Sequence, residues 1–152
     1  MRLTPFKINT FLLTKLPAAY LCGVRLKKID NQQCRTTVTH RWINQNPFRS
    51  MYFAVQCMAA ELSTGALVMQ KITESNRKIS MLVGTQKGTY LKKATGKITF
   101  TCTDGQKIEE TIQQAIATGE GQEVVLKSVG INQQEQEVSH MEFTWLIKVK
   151  DN

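Results

Sequence analysis

The sequence has few of the residues that build metal or redox centres. It contains only two histidines, His40 and His140, and both fall in patterns typical of strands. Its four cysteines are Cys22, Cys34, Cys57 and Cys102. No two of them have the close spacing of a zinc or thiol redox motif. We therefore expect no metal site and interpret the cysteines as free thiols of a reducing compartment.

The sequence also shows no pattern typical of a domain linker, a secretory leader or a membrane span. No linker, internal repeat or low-complexity tract interrupts the sequence, which predicts a single domain over residues 1–152. Lys15 and Pro17 interrupt the N-terminal apolar stretch, so it lacks the core of a secretory leader. The apolar run 46–70 carries Glu61 near its middle, where a charge would be costly in a membrane span. We expect a cytoplasmic protein without a membrane span.

The charge is basic but dispersed. The formal net charge is +8, with 41% hydrophobic and 21% charged residues, which is a globular composition. A basic protein suits anionic partners such as phosphate esters. No Lys/Arg tract is interleaved with aromatic residues, so the sequence does not favour a nucleic-acid partner.

The hydrophobic pattern predicts an α+β fold. An amphipathic helix opens the chain, and an alternating segment that turns at residues 30–31 predicts a hairpin. A segment that is apolar on all sides predicts a long buried helix at about residues 50–72, beginning near Pro47 and Ser50. Several strands follow, with a short helix inserted at about residues 105–118. The order predicts an antiparallel sheet wrapped on one central helix.

Two motifs carry a resemblance to a known family. The segment "INQNPFRSMYFAVQCMAAELSTG" is similar to the entrance of the central helix in hotdog-fold acyl-CoA thioesterases, where an Asn precedes a turn and a carboxylate follows on the helix. The segment "YLKKATGKITFTCT" resembles the strand that follows in that fold. The two segments resemble in particular the thioesterase subfamily catalogued as a domain of unknown function. The resemblance covers roughly residues 10–150.

The resemblance implies a fold, a reaction and site residues. The fold is the hotdog, a curled sheet around a central helix, and the activity is hydrolysis of an acyl-CoA or acyl-carrier-protein thioester. No cofactor is implied beyond the coenzyme A of the substrate. Glu61 takes the place of the family's catalytic carboxylate, and Lys92 and Lys93 match its basic pair. Together with Arg49, this pair is expected to bind the phosphates of coenzyme A. Such proteins are homodimers or homotetramers with sites at the subunit boundary.

Physical reasoning supports a chemical role for Glu61. A carboxylate in an apolar helix loses hydration, so its pKa rises toward the range that a general base needs. Eleven helical steps of about 1.5 Å separate it from Ser50 by roughly 16 Å, too far for one helix to supply both carboxylate and N-terminal amides. We predict that the amides of Met51 and Tyr52 in one protomer polarise the carbonyl that Glu61 of the other attacks through water.

Supporting roles and alternatives stay open at this point. Asn46 is expected to orient the acyl end or the water, and Thr64 to hold the carboxylate, whereas turn chemistry explains an Asn before Pro equally well. Glu61 could instead be a buried acid satisfied by a hydroxyl, by Arg49 or by His40, or it could face a groove that is wet but inert. Three side chains could either belong to the core or line an acyl tunnel: Tyr52, Phe53 and Met58.

The helix entrance departs from the family. Many members carry His-Gly-Gly where this chain has Ser50, Met51 and Tyr52. Missing glycines favour a second hypothesis, a hotdog module that binds acyl-CoA or a fatty acyl group without hydrolysing it. A structural oligomer without a ligand is the third.

Overall fold

The computed structural model of the chain describes residues 2–150. Its helices are α1 (Pro5–Lys15), α2 (Pro17–Leu21), α3 (Phe53–Ser75) and α4 (Gly105–Thr118), with a short 3-10 helix at Trp42–Asn44. Its strands are β1 (Arg25–Ile29), β2 (Cys34–Thr39), β3 (Ile79–Tyr90), β4 (Lys97–Cys102), β5 (Gln122–Ile131) and β6 (Glu137–Val149). Within this part of the chain no helix is long and apolar enough to cross a membrane.

The six strands form one antiparallel sheet in the order β1-β2-β4-β5-β6-β3. The sheet packs against α3, which contacts β1, β2, β4, β5 and β6. This confirms the predicted α+β architecture of a curled antiparallel sheet around a long helix. The hairpin β1–β2 and the inserted helix α4 also lie where the sequence predicts them. The first residue of α4 is a glycine because a Cβ at position 105 would clash with the carbonyl oxygen of Asn31.

Helix α3 is apolar nearly all round because it is buried nearly all round. Ala59 and Ala60 are wholly buried, and their small side chains allow the helix to approach the sheet. Polar side chains on the buried faces have partners: Ser63 Oγ lies 2.7 Å from Ser128 Oγ, and Ser139 Oγ donates to Gln56 Oε1 at 2.8 Å. The helix therefore crosses the core without leaving a fully buried polar side chain unpaired in residues 2–150.

The helix begins at Phe53, three residues later than the sequence suggests. Pro47 and Ser50 resemble a helix start, but they belong to a tight turn in which Arg49 has a positive φ of 61°. The chain then stays extended, because Met51 N donates to Ala94 O and Tyr52 N to Asn44 O, at 2.8 and 2.9 Å. These long-range bonds override the local helix signals.

The two edges of the sheet differ. Asn9 of α1 occupies one position of edge strand β1, since its side chain donates to Leu26 O at 3.0 Å and accepts from Leu26 N at 2.9 Å. The opposite edge strand, β3, runs for 12 residues without one buried residue. A long uncovered edge is a template for pairing with another chain.

The predicted N-terminal helix is present and lies against the core, with Ile8 and Leu12 buried. Its other apolar side chains are less covered, and Phe6 is 80% exposed. Pro17 ends the first helix and starts α2, so the chain bends between the two. This bend forms one wall of a pocket beside α3.

Candidate functional site

A pocket of about 560 Å³ lies at the start of α3, and we call it the entrance pocket. It is lined by the turn 46–48, the helix start 50–53, Gln56 and the connection 90–94 between β3 and β4. Its volume falls in the range of small-molecule sites. The helix N-terminus, the exposed aromatic rings and two lysines therefore meet in one concave surface.

Asn46 fastens the turn of the entrance pocket. Its Oδ1 accepts from the amides of Phe48 and Ser50 at 2.9 and 3.2 Å, and its Nδ2 donates to Ser50 Oγ and Met51 O at 3.0 and 3.3 Å. The amide side chain is thus committed to the loop, which is the turn chemistry that the sequence left open. Asn46 borders the pocket and shapes it through the backbone.

The amides predicted to polarise a carbonyl are already hydrogen-bonded. Met51 is buried and both its amide and that of Tyr52 donate to backbone carbonyls, as described above. The first free amides of α3 come later, because Val55 N is the first that donates to a carbonyl of the preceding turn, Tyr52 O at 3.0 Å. Within residues 2–150 no acceptor is present for the amides of Phe53 and Ala54. The helix therefore presents these two N–H groups.

Glu61 borders a second pocket, of about 320 Å³, which we call the carboxylate pocket. Its walls are residues 15–19 at the α1–α2 bend, Leu12, and Met58 and Leu62 of α3. No hydroxyl, Arg or His in the described chain donates to the Glu61 carboxylate, which excludes the satisfied-acid alternative within one protomer. Burial raises the pKa of Glu61 above its ordinary value. The half-buried carboxylate therefore binds a proton more tightly than a carboxylate in water does.

Thr64 does not hold the Glu61 carboxylate. Its hydroxyl donates to the backbone carbonyl of Glu61 at 2.9 Å and accepts from Trp145 Nε1 at 3.0 Å. Trp145 in turn lies against Gly65, where a Cβ would be 3.1 Å from the indole and 3.0 Å from Glu61 Oε1. Gly65 therefore provides the space in which the carboxylate and the indole lie side by side, with Thr64 fixing the indole.

The two pockets are separate within one protomer. Eight helical steps from Phe53 to Glu61 amount to about 12 Å along the axis. No lining residue is shared between the two pockets. The structure thus does not bring Glu61 together with Asn46, Met51 or Tyr52 in one chain, in accordance with the distance argument from sequence.

The basic residues expected to bind phosphate lie at or near the entrance pocket. Lys92 and Lys93 line it and are exposed, and they lie in the β3–β4 connection rather than in a strand. Lys93 Nζ donates to Phe48 O at 3.2 Å, which ties the connection to the turn. Arg49 is exposed beside the pocket between two residues that line it. In the described chain no group of three or more acidic, His or Cys side chains could hold a metal.

Some parts of the site could not be found from sequence. The amides of Phe53 and Ala54 emerge only because tertiary hydrogen bonds delay the helix start. Tyr90 reaches the entrance pocket from the end of β3, where its ring centroid lies 5.9 Å from that of Phe53. The N-terminal wall of the carboxylate pocket could be suspected only from the Pro17 that bends the chain there.

A comparison with protein families identifies the family of this chain. Residues 7–147 match the family described as "Domain of unknown function (DUF4442)". The chain belongs to this family. The resemblance drawn from the two sequence motifs is thereby confirmed. A search of curated proteins found no match.

Solved structures share the fold over nearly the whole chain. A protein of unknown function from Pseudomonas aeruginosa, described as "Probable Thioesterase", has a TM-score of 0.83 at 18% identity, covering 98% of this chain and 99% of its own. A Chlorobaculum tepidum protein of unknown function reaches 0.82 at 17% identity, covering 97% and 98%. A Haemophilus influenzae thioesterase reaches 0.74 at 13% identity, covering 98% and 93%. These similarities confirm the hotdog fold.

Proposed function

We propose that this member of the DUF4442 family hydrolyses acyl thioesters with Glu61 as the general base. The observation that carries the proposal is the Glu61 carboxylate, half-buried, without a partner in residues 2–150 and beside a pocket. Similarity to proteins described as thioesterases supports the choice of substrate class. Acyl-CoA and acyl-carrier-protein esters are both compatible with it.

The proposed enzyme is a homodimer that joins β3 to β3. Asn9 occupies the backbone of Leu26 on the short edge strand β1, whereas the longer edge strand β3 has no buried residue, so β3 is the more accessible edge for a second copy. Two-fold symmetry makes such a contact self-complementary. It also brings the exposed Phe53 and Tyr90 near the interface, where their apolar surface would be covered. A tetramer would be a pair of these dimers.

In this dimer the Glu61 of one protomer faces the helix start of the other. The Glu61 carboxylate takes a proton from water, and the oxygen of that water attacks the thioester carbonyl carbon. The amides of Phe53 and Ala54 from the other protomer donate to the oxyanion that forms. When the tetrahedral intermediate collapses, the C–S bond breaks and Glu61 returns its proton to the leaving sulfur. The products are a carboxylic acid and the free thiol.

The entrance pocket is proposed to hold the coenzyme A or carrier arm. Lys92 and Lys93 offer charge for phosphate groups, and Arg49 lies beside them. Asn46 keeps the turn in shape, and Met51 and Tyr52 anchor the backbone that precedes the amides. All four cysteines are free thiols, which fits a reducing, cytoplasmic location.

The deciding experiment removes one amide without removing the helix. Phe53 is the first helical residue and follows an extended Tyr52 (φ −59°, ψ 133°), a position that accepts proline. Phe53→Pro deletes the amide and the ring, whereas the control Phe53→Ala deletes only the ring. We expect Phe53→Pro to lower kcat by about a hundredfold or more relative to Phe53→Ala, the effect of losing one oxyanion donor.

A mixing experiment tests the shared site. A heterodimer of Glu61→Gln and Phe53→Pro chains contains one site with both changes and one site with neither. Unfolding and refolding the inactive variants together should therefore restore about a quarter of wild-type activity, because half of the randomly formed dimers carry one intact site. No recovery, with heterodimers demonstrated by a size tag, would place both groups of each site in one protomer.

A second candidate function is binding without turnover. The entrance carries the side chains of Tyr52 and Phe53, 47% and 55% exposed, where glycines would let a thioester approach the backbone. If no acyl-CoA of any chain length is hydrolysed above the rate in buffer, while one of them raises Tm, the binding module is the better description.

A further inference from the structure

The carboxylate pocket is chemically unlike the entrance pocket. Its walls are apolar except for Glu61 and Lys15, whereas the entrance pocket is lined by two lysines and by Phe53, whose amide is free. The wall opposite α3 comes from the α1–α2 bend, where Leu16 is 41% exposed and Ala18 faces the same space. Leu12 at its base is fully buried. The pocket therefore offers burial to an apolar group and few hydrogen bonds.

The position of the carboxylate pocket indicates which part of a thioester this apolar group would be. An acyl thioester has an alkyl or aryl group on one side of the reacting carbon and a phosphate-bearing carrier on the other. The reacting carbon must lie beside Glu61 to receive the activated water. With the carrier directed to the basic entrance pocket, the acyl group is left with the apolar space that begins at Glu61.

We propose that the pocket between the α1–α2 bend and α3 binds the acyl chain and sets its length. The inference rests on the proposed function for the orientation of the thioester. A space of about 320 Å³ holds on the order of ten groups the size of a water molecule, which matches an unsubstituted chain of medium length. Hydroxylated or carboxylated chains are disfavoured, because the walls provide too few partners for a buried polar group.

Chain length should act through burial. Each methylene that enters the pocket is expected to tighten binding by about fourfold, the effect of burying one CH₂ group. The gain should stop once the pocket is full. Affinity, and with it kcat/KM, should therefore rise steeply from acetyl-CoA to a chain of roughly eight to ten carbons and then level off.

The test uses one variant that fills the pocket and one that widens it. Ala18→Phe adds a ring at an exposed lip, and is expected to lower kcat/KM for decanoyl-CoA by at least about tenfold while acetyl-CoA changes less than about twofold. Leu16→Ala widens the pocket and should move the plateau to longer chains. The matched control is Leu13→Ala, because Leu13 is a similarly exposed leucine of α1, at 52%, that does not line the pocket.

Binding is measured separately from turnover. Isothermal titration of Glu61→Gln with decanoyl-CoA, butyryl-CoA and free coenzyme A measures the contribution of the acyl chain to binding affinity, even if the wild-type protein hydrolyses no thioester. Chain-dependent affinity that Ala18→Phe abolishes supports the inference, whether or not the protein is an enzyme. If wild type hydrolyses thioesters but Ala18→Phe and Leu16→Ala keep its chain-length profile, the acyl chain lies elsewhere and only the hydrolase proposal survives. Affinity for decanoyl-CoA equal to that for free coenzyme A would overturn the inference outright.

Discussion

Replacing Glu61 with glutamine is expected to stabilise the protein at neutral pH while abolishing turnover. Burial raises the pKa of Glu61, and within residues 2–150 the carboxylate has no hydrogen-bond or ion-pair partner. The folded chain therefore holds this proton more tightly than the unfolded chain does, and ionisation weakens folding. Glutamine has nearly the same shape and no charge, so it removes the cost of ionisation.

The magnitude and the pH range follow from the same reasoning. A fully buried unpaired polar group costs about 1–3 kcal/mol, and Glu61 is only partly buried, so we expect a gain of about 1 kcal/mol or less, each kcal/mol being worth about 2–4 °C in Tm for a chain of this length. The stability that protonated Glu61 provides is fully present below its ordinary pKa of 4.5 and is lost as pH rises through the raised value. The advantage of Glu61→Gln should thus be present at neutral pH and nearly vanish at about pH 4.

Calorimetric melting over a pH series checks the expectation, and Glu109→Gln is the matched control. Lys71 Nζ lies 3.0 Å from Glu109 Oε2 and lowers the pKa of that carboxylate. This substitution should therefore lower Tm at neutral pH, and the loss should disappear as pH falls through the lowered pKa. Turnover should fall at least about a hundredfold in Glu61→Gln only. A lower Tm for Glu61→Gln at neutral pH would refute the reasoning, because it would reveal a stabilising partner.

Three further predictions test the surroundings of the site. Replacing Lys92 and Lys93 together with alanine should raise KM for coenzyme A esters by roughly three- to tenfold, with little change for pantetheine esters, which lack the phosphate groups. Gly65→Ala places a methyl group between the Glu61 carboxylate and the Trp145 indole and should reduce turnover, whereas the control Gly130→Ala, which clashes with the ring of Phe100, should cost stability alone. Equal turnover losses would deny Gly65 a positioning role. Burial raises the pKa of Cys102 to about 12, so this thiol should react with Ellman's reagent only after unfolding, unlike the partly exposed cysteines.

The sequence predicts the fold well because its main signals are local. The segment at residues 105–118 has a helical stripe and a glycine that can end it, and α4 spans those residues with Gly119 in the left-handed region. The all-round apolar run predicts the buried α3 for a similar reason. The hairpin is set by Asp30, whose side chain accepts from two amides of the turn.

The site was predicted less completely because it depends on contacts between distant segments. Glu61 stands out as a lone charge in an apolar run, so composition alone selects it. The sequence does not single out the amides of Phe53 and Ala54. The start of α3 lies later than the local pattern indicates because the amide of Met51 donates to the carbonyl of Ala94, in the connection after β3. Thr64 has the right spacing to reach a carboxylate, yet its hydroxyl donates to the backbone carbonyl of Glu61 and accepts from the indole of Trp145, far along the chain.

The contrast along α3 is the strongest physical argument for a function at Glu61. Gln70 accepts from Leu3 N at 2.7 Å and donates to Glu74, and Lys71 pairs with Glu109 on α4. Glu61 alone among the acidic, basic and amide side chains on this helix has no partner in residues 2–150 for its terminal atoms, although its side chain is partly buried. A chain that gives each of these neighbours a partner could have given this carboxylate one with a single hydroxyl. Departures from local consistency concentrate where a protein works, and here the departure lies against a pocket that a ligand can enter.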